Sequence, residues 1–364
     1  MQVAIMGAGL SGLCCAIILE KNGIEPTIFE KRPMPGDRFI NAEAIFNISN
    51  RPINNCLDYF RNEYAIDLKP IDEIRELTVY GPNTKAILHG NLGYSNLRGR
   101  HEESFESQLA RQVKSKIIFN SEYEYEDLVK DYTHVVLATG DAAYATKLNN
   151  FRVDLTINVR GATVDGEFKT DHIISWYNNE FAPKGYAYLM PYTEKEANIS
   201  IAYPSYPDTT IEEIDDLWDR FYTRAKRDIK QALNITDKYE VKRYILGTCD
   251  KAKINNTYFT GNCFGSIMPA YGLGQFVAIF TGIYSALDIC GKGDYEELME
   301  PLKKSYESSL VLRKAMEKLD NSKLDLFVKA MDNNVASKMF SDGTEFDFFK
   351  VAGKILKPFF GENK

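Results

Sequence analysis

Histidine is scarce in this chain and tryptophan scarcer. Four histidines are spread over 364 residues, too few and too far apart for the His/Cys cluster a zinc site needs, so no metal site is expected. The six cysteines (Cys14, Cys15, Cys56, Cys249, Cys263, Cys290) contain no C-x-x-C pair. That argues against a dithiol redox centre or a disulfide framework, and for reduced thiols in a cytoplasm. No dense Lys/Arg block precedes the C-terminal region and the net charge is −7, so nucleic acid is not an expected partner. Internal repeats and low-complexity tracts are missing, and a strand-like run from residue 2 is expected to leave no room for a signal peptide. Charge is missing from one long stretch, the 25 residues Cys263 to Leu287. Pro269, Gly272 and Gly274 break its first half, so it reads as a buried helix over Phe276 to Ile289 rather than a membrane span.

Against these absences stands a dense N-terminal signal. Gln2 to Met6 read as a strand, Gly7, Gly9 and Gly12 follow at G-x-G-x-x-G spacing, and an apolar helix begins at Leu13. The first glycine of such a turn makes the bend, the second lets a phosphate touch backbone, and the third lets helix pack on strand. The free N–H groups of the helix then face the anion. Gly7, Ala8, Gly9, Ser11 and Gly12 are therefore candidate pyrophosphate-binding residues. Pro26 to Glu30 reads as the next strand, and Glu30 lies 18 residues after Gly12, close to the spacing of a carboxylate that holds an adenosine ribose. With Lys31 beside it, Glu30 is assigned to the adenosine end. Its charge repels a 2′-phosphate, which favours FAD or NAD over NADP.

A second strand–turn–helix lies far along the chain. A short strand ends at Gly261-Asn262, a loop with Pro269 follows, and Gly272, Leu273 and Gly274 open the uncharged helix. A flavin needs two anchors, one for pyrophosphate and one for the ring. A helix N-terminus at the ring edge stabilises the anionic reduced form. The cofactor indicated is FAD.

At these two motifs the chain resembles the FAD-dependent para-hydroxybenzoate hydroxylase-like fold and, within it, the geranylgeranyl reductase group. The group usually has Gly-Asp-Ala, then Pro-x-x-Gly-x-Gly-Ile, then Ser-Gly; here stand Gly261-Asn262, Pro269-Ala-Tyr-Gly272-Leu-Gly274 and Thr281-Gly282. Its Tyr-x-Trp-x-Phe-Pro element resembles Tyr186-Ala-Tyr188-Leu-Met190-Pro191. The resemblance implies that Ala138, Thr139 and Gly140 return to the adenosine side, with Thr139 where the hydroxylases carry Asp. It also implies that Arg100, near Arg98, stands for a displaced cofactor-binding arginine. The family's cysteine after the second strand has no counterpart around Asp37-Arg38-Phe39, and Cys56 reads as a small buried hydrophobe.

The fold expected is α/β, with a discontinuous Rossmann-like FAD-binding domain (1–66, 96–147, 244–290). An inserted mixed β-sheet substrate domain (67–95, 148–243) and a C-terminal helical region (291–364) complete it. A hairpin is expected around Gly81-Pro82-Asn83. An amphipathic helix is expected between Ile211 and Leu233, its stripe Ile214, Leu217, Trp218, Phe221 and Ala225 serving as core. The aromatic and basic segment Phe346 to Phe360 reads as a docked terminal helix, or as a surface able to make peripheral membrane contact if the substrate is a lipid.

Such a fold would use reduced FAD to deliver hydride to a C=C of a small apolar or lipid-like substrate, with NAD(P)H or ferredoxin as electron donor. Tyr188 and Tyr271 are the candidate catalytic residues, with Tyr186 also near the expected ring face. Two readings remain beside the reductase. One is a flavin monooxygenase or halogenase, whose Trp-x-Trp-x-Ile-Pro stretch Tyr186–Pro191 also resembles. The other is a non-catalytic FAD-binding protein.

Overall fold

Short β-branched runs separated by an apolar helix make parallel strands, because the crossover must cover the sheet it returns to. The computed structural model describes residues 1–50, 53–206 and 214–331, and its first elements follow this rule. Strand β1 (Val3–Met6) enters α1 (Leu10–Lys21) and returns as β2 (Thr27–Phe29). The chain then departs as β3 (Asn41–Phe46) and, after α2 (Cys56–Tyr64), forms the hairpin β4 (Asp72–Tyr80) and β5 (Lys85–Arg98). It comes back through α3 (Phe105–Ala110), β6 (Ile117–Ile118), α4 (Tyr125–Asp131) and β7 (His134–Leu137). After α5 (Ala143–Lys147) come β8 (Phe151–Asp165), β9 (His172–Trp176), β10 (Tyr186–Pro191) and β11 (Glu196–Ser205), then α6 (Ile214–Ile229) and β12 (Asn234–Cys249). Strands β13 (Lys253–Ile254) and β14 (Thr257–Phe259) lead into α7 (Gln275–Ile289), α8 (Tyr295–Met316) and α9 (Asn321–Met331).

These strands make two sheets. Six strands in the order β13-β14-β7-β1-β2-β6 form the first, parallel except for β13. Eight strands in the order β12-β8-β11-β10-β9-β4-β5-β3 form the second, antiparallel except where β4 meets β9. The fold is thus mixed α/β, with a Rossmann-like sheet, a second mixed sheet and C-terminal helices. Segment 41–46 lies in the second sheet, where Ala44 pairs with Ser95 of β5.

Helix α1 is buried from Leu10 to Leu19, because it is sandwiched between the first sheet and α7 and so shows no polar face. Its contact with α7 needs Gly282. A Cβ there would lie 2.0 Å from the Ser11 carbonyl oxygen, closer than any side chain permits. The uncharged stretch is the buried helix α7, not a span. Among the described residues no helix is long and apolar enough to cross a membrane. On the far face of the second sheet α6 buries Leu217, Trp218, Phe221 and Ala225 against Trp176, Leu189 and Ile199, the stripe expected from helical spacing. Cys14, Cys15, Cys56, Cys249 and Cys263 are all buried free thiols, and burial raises the pKa of each. The segment Phe346–Phe360 lies outside the described residues.

Candidate functional site

The glycine turn is held from both sides. Gly7 donates its N–H to the Phe29 carbonyl at 2.8 Å and has φ +117°. A Cβ on it would stand 2.2 Å from the Ala138 oxygen, so β7 closes against the turn and only glycine fits. Gly9 is different: nothing lies within 4 Å of where its Cβ would be. It caps α1 with no side-chain hydrogen bond, and the first turn carries no acid. The N–H groups of that turn are therefore left for an anion. Glu30 accepts from the Ala8 N–H at 2.7 Å and from the Arg32 N–H at 2.9 Å, so its carboxylate sits at the lip of the turn. An open face over Gly9, an uncapped helix N-terminus and an acid at the end of β2 together fit an adenine dinucleotide.

The second anchor is welded to the first by α7. Gly261 donates to Thr281 Oγ1 at 2.8 Å, and the next residue, Gly282, backs onto Ser11. Ala138, Thr139 and Gly140 extend from β7 to the same rim, where Asn262 Nδ2 meets the Gly140 carbonyl at 3.2 Å. The Pro269–Gly274 loop closes on itself through Met268 N–H to Leu273 O and Gly272 N–H to Met268 O, both 2.9 Å. Ser309 of α8 holds it from behind, accepting from the Ala270 N–H at 3.0 Å. Gly274 then caps α7 without a side-chain bond, giving a second free helix N-terminus.

Beside that N-terminus lies a half-buried charge network. Glu43 Oε1 accepts from Arg38 at 3.0 Å and Asn41 at 2.8 Å, while its Oε2 accepts from Arg98 and from Gln275 Nε2, both 2.8 Å. Arg98 also donates to Glu106. Burial opposes the Glu43 charge, but Arg98, Arg38 and Asn41 outweigh it and hold the carboxyl down to about 2. An ionised carboxylate only accepts, so Gln275 must turn its nitrogen to Glu43 and its oxygen away; that oxygen, like Glu106 Oε2, is buried without a protein partner. The motif reading missed this network. The available signal was a lone acid in an otherwise apolar strand, Asn-Ala-Glu-Ala-Ile-Phe. Arg100, assigned to the cofactor from sequence, pairs instead with Asp237 at 3.8 Å on the surface. Arg98, not Arg100, is the one drawn inward, into ion pairs with Glu43 and Glu106, and Lys31 is exposed.

The tyrosines gather on the inner face of the second sheet. Tyr186 donates to the Tyr271 carbonyl at 2.5 Å, and the Tyr186 and Tyr188 rings lie 6.2 Å apart. Across the sheet Tyr239 shares a 2.5 Å bond with Ser200 and donates to Asn198 at 3.1 Å. Tyr188 stands directly opposite the same serine in the β10–β11 register. Burial pushes Tyr186 up to about 12 and raises Tyr188 and Tyr271 well above the ordinary phenol value, so all three are neutral phenols that carry a proton. Phe39 stacks on Tyr239 at 4.0 Å and covers this hydroxyl chain. Tyr239 and Ser200 carry no motif, and only strand register brings them to Tyr188.

An open cleft of about 200 Å³ runs along α7 from Gly274 and Gln275 past Phe276 and Phe280 to Tyr284, walled opposite by β3. Among the described residues no charged side chain lines it.

Comparison with known proteins agrees with this geometry. Residues 5–64 match the NAD(P)-binding Rossmann-like domain family. A thiamine thiazole synthase of Thermotoga maritima is 37% identical over 68 residues, 18% of this chain and 27% of the relative, so the match spans about a quarter of that protein. Among solved structures, a geranylgeranyl bacteriochlorophyll reductase-like protein of Thermoplasma acidophilum superposes with TM-score 0.69 and 17% identity over 98% of both chains. A triple mutant of a flavin-dependent brominase gives TM-score 0.68 and 13% identity over 98% of both. A flavoprotein/dehydrogenase of Cytophaga hutchinsonii gives 0.66 and 12% over 98% of this chain and 99% of that one. At these identities the likeness establishes the fold: this chain has, along nearly its whole length, the architecture of these proteins.

Proposed function

We propose that the protein is an FAD-dependent oxidoreductase that saturates a C=C bond in an apolar substrate. The observation that carries the reading is the cleft at the N-terminus of α7, whose described lining carries no charge and which lies immediately beside the second anchor. Gly7, Ala8, Gly9, Ser11, Gly12 and Glu30 would hold the adenosine and phosphates. Gly261, Asn262, Pro269, Gly272, Leu273 and Gly274 would hold the ring end. The division into cofactor part (1–66, 96–147, 244–290) and substrate part (67–95, 148–243) belongs to the same proposal. Once bound and reduced by an electron donor such as NAD(P)H or ferredoxin, FAD would supply the hydride. The chain supplies the rest. The described walls, which carry no charge, favour an apolar group over an anionic one, since an unpaired charge there would lose its hydration. Tyr188 would hold the proton that saturation consumes, and Ser200 opposite it, hydrogen-bonded to Tyr239, would offer a way to replace that proton. Tyr271, fixed through its carbonyl by Tyr186, would wall the reacting end.

The test is the spectrum of the purified or FAD-reconstituted protein, followed by anaerobic titration with NADH, NADPH and reduced ferredoxin. A yellow protein reduced by one of these donors, which then saturates an isoprenoid alkene without oxygen, is the expected result. Failure to take up FAD overturns the proposal. Oxygen-dependent hydroxylation or halogenation moves the protein to the chemistry of the brominase-like branch of the fold.

A further inference from the structure

Tyr244 belongs to β12, an edge strand of the second sheet, yet its phenol lands on the first sheet's cradle. The strand is bulged between Val241 and Tyr244. Arg243 there takes φ +50° and donates its N–H to Asn158 Oδ1 at 2.9 Å. A bulge re-aims the residues that follow it, and here it turns Tyr244 toward β7. The hydroxyl donates to the Gly140 carbonyl at 2.8 Å and accepts from Asn262 Nδ2 at 2.8 Å. Asn262 also reaches Gly140 O at 3.2 Å and accepts from Ser266 at 2.7 Å through Oδ1. This joint sits on the rim of the cradle. Ala138, two residues before Gly140, lies against Gly7, and Gly261, beside Asn262, lies against Ser11.

The joint also accounts for asparagine where the resembling family has aspartate. Gly140 offers only an acceptor. A carboxylate at 262 would set oxygen against oxygen, whereas an amide donates to Gly140 and Tyr244 while accepting from Ser266. Asn262 and Tyr244 therefore belong to one device.

We propose that Tyr244 is a cofactor-retention residue. It latches the second sheet to the rim between the two anchors and limits how fast the dinucleotide leaves. This inference rests on the FAD reading above. The ligand class is a dinucleotide whose middle must pass along the rim from Gly9 to Gly274. A mononucleotide held only at the Gly7–Gly12 turn would not feel the latch.

The experiment follows release of FAD from the holoprotein by the rise in flavin fluorescence on dilution. Wild type is compared with Tyr244→Phe and Ser266→Ala, and ADP affinity is measured in parallel. Tyr244→Phe removes the donor to Gly140, and Ser266→Ala frees the Asn262 amide from the other side of the joint. Each should speed FAD release by about tenfold, the worth of one or two hydrogen bonds, with ADP affinity unchanged. Release at the wild-type rate in both variants overturns the latch while leaving the flavin reading intact. Equal loosening of FAD and ADP also overturns it, since that marks general damage to the cradle. A wild-type protein that takes up no FAD overturns the flavin reading, and the latch with it. If one variant fails to fold, judged by circular dichroism, the other decides.

Discussion

One methyl group separates two glycines of the same turn in opposite ways. On Gly7 it would meet the Ala138 carbonyl at 2.2 Å with the backbone at φ +117°. On Gly9, φ −93° and ψ −171° suit any residue and nothing is within reach. Gly7→Ala should cost about 2–4 kcal/mol of stability, strain and overlap together. Gly9→Ala should melt like wild type yet lose about tenfold or more in dinucleotide affinity, because its methyl stands where backbone must approach phosphate. Thermal melts and equilibrium FAD titration of the pair separate a fold-making glycine from a ligand-making one. Glu43 offers a test by pH. Its carboxyl is held down to about 2 in the folded chain, below the ~4.3 of an unfolded glutamate. The stabilisation it contributes is therefore full above pH ~4.5 and is lost as pH falls toward 2. That amounts to about 2 kcal/mol, after discounting for a side chain 29% exposed. Glu43→Gln should be less stable at pH 7, because its amide meets the donors of Arg98 and Gln275. The gap to wild type should narrow by about 1 kcal/mol between pH 6 and pH 3 in urea melts, the rest going only as pH nears 2.

At the scale of elements, α7 is the hub, since consecutive residues bind both anchors: Thr281 accepts from Gly261 and Gly282 admits Ser11. Gly282→Ala must push α1 off α7, costing about 1–3 kcal/mol, and it should weaken FAD binding as well because Ser11 moves with the helix. Phe221→Ala on α6 is the contrast. It empties a fully buried site in a different core and should cost about 3–5 kcal/mol with FAD affinity unchanged. The two variants, compared by chemical denaturation and FAD titration, distinguish a helix that positions the site from one that only supports the sheet behind it. These elements also mark what was legible in the sequence. The glycine turn, the hairpin at Gly81–Asn83, the stripe on α6 and the buried α7 all follow from local periodicity and turn chemistry, which a sequence displays directly. The partners of Glu43 and Asn262 do not. Glu43 meets Gln275 across 232 residues, and Tyr244 reaches Gly140 across 104. Such pairs depend on which sheet a strand joins and in what register. Segment 41–46 shows this well, being read with its Rossmann neighbours in sequence while its hydrogen bonds go to β5.

At the scale of the molecule, the question is whether the two sheets unfold together. The first sheet carries the dinucleotide cradle, while both tryptophans of the chain, Trp176 and Trp218, pack around Phe221 behind the second. Several ties join the halves. Strand β12 runs directly into β13 of the other sheet, and Gln275 is bound to Glu43 of β3. Helix α8 ties itself to β8 through Tyr306 to Asp154 at 2.9 Å and Arg152 to Glu307 at 2.6 Å. Its Lys303 reaches the Asp250 carbonyl at 3.1 Å, at the junction between β12 and β13. With such ties the molecule should behave as one cooperative unit, so a ligand bound to the first sheet must stabilise the second. FAD at a hundred times its dissociation constant adds about 2.7 kcal/mol. For a chain of this size that should raise the midpoint by roughly 5 °C. The rise should appear equally in tryptophan fluorescence, which reports only the second sheet, and in far-ultraviolet circular dichroism, which reports both. A tryptophan transition that stays in place while the dichroism midpoint moves would mean that the sheets melt separately. The contacts across β12, α8 and Glu43 would then be too weak to couple the cofactor cradle to the substrate sheet.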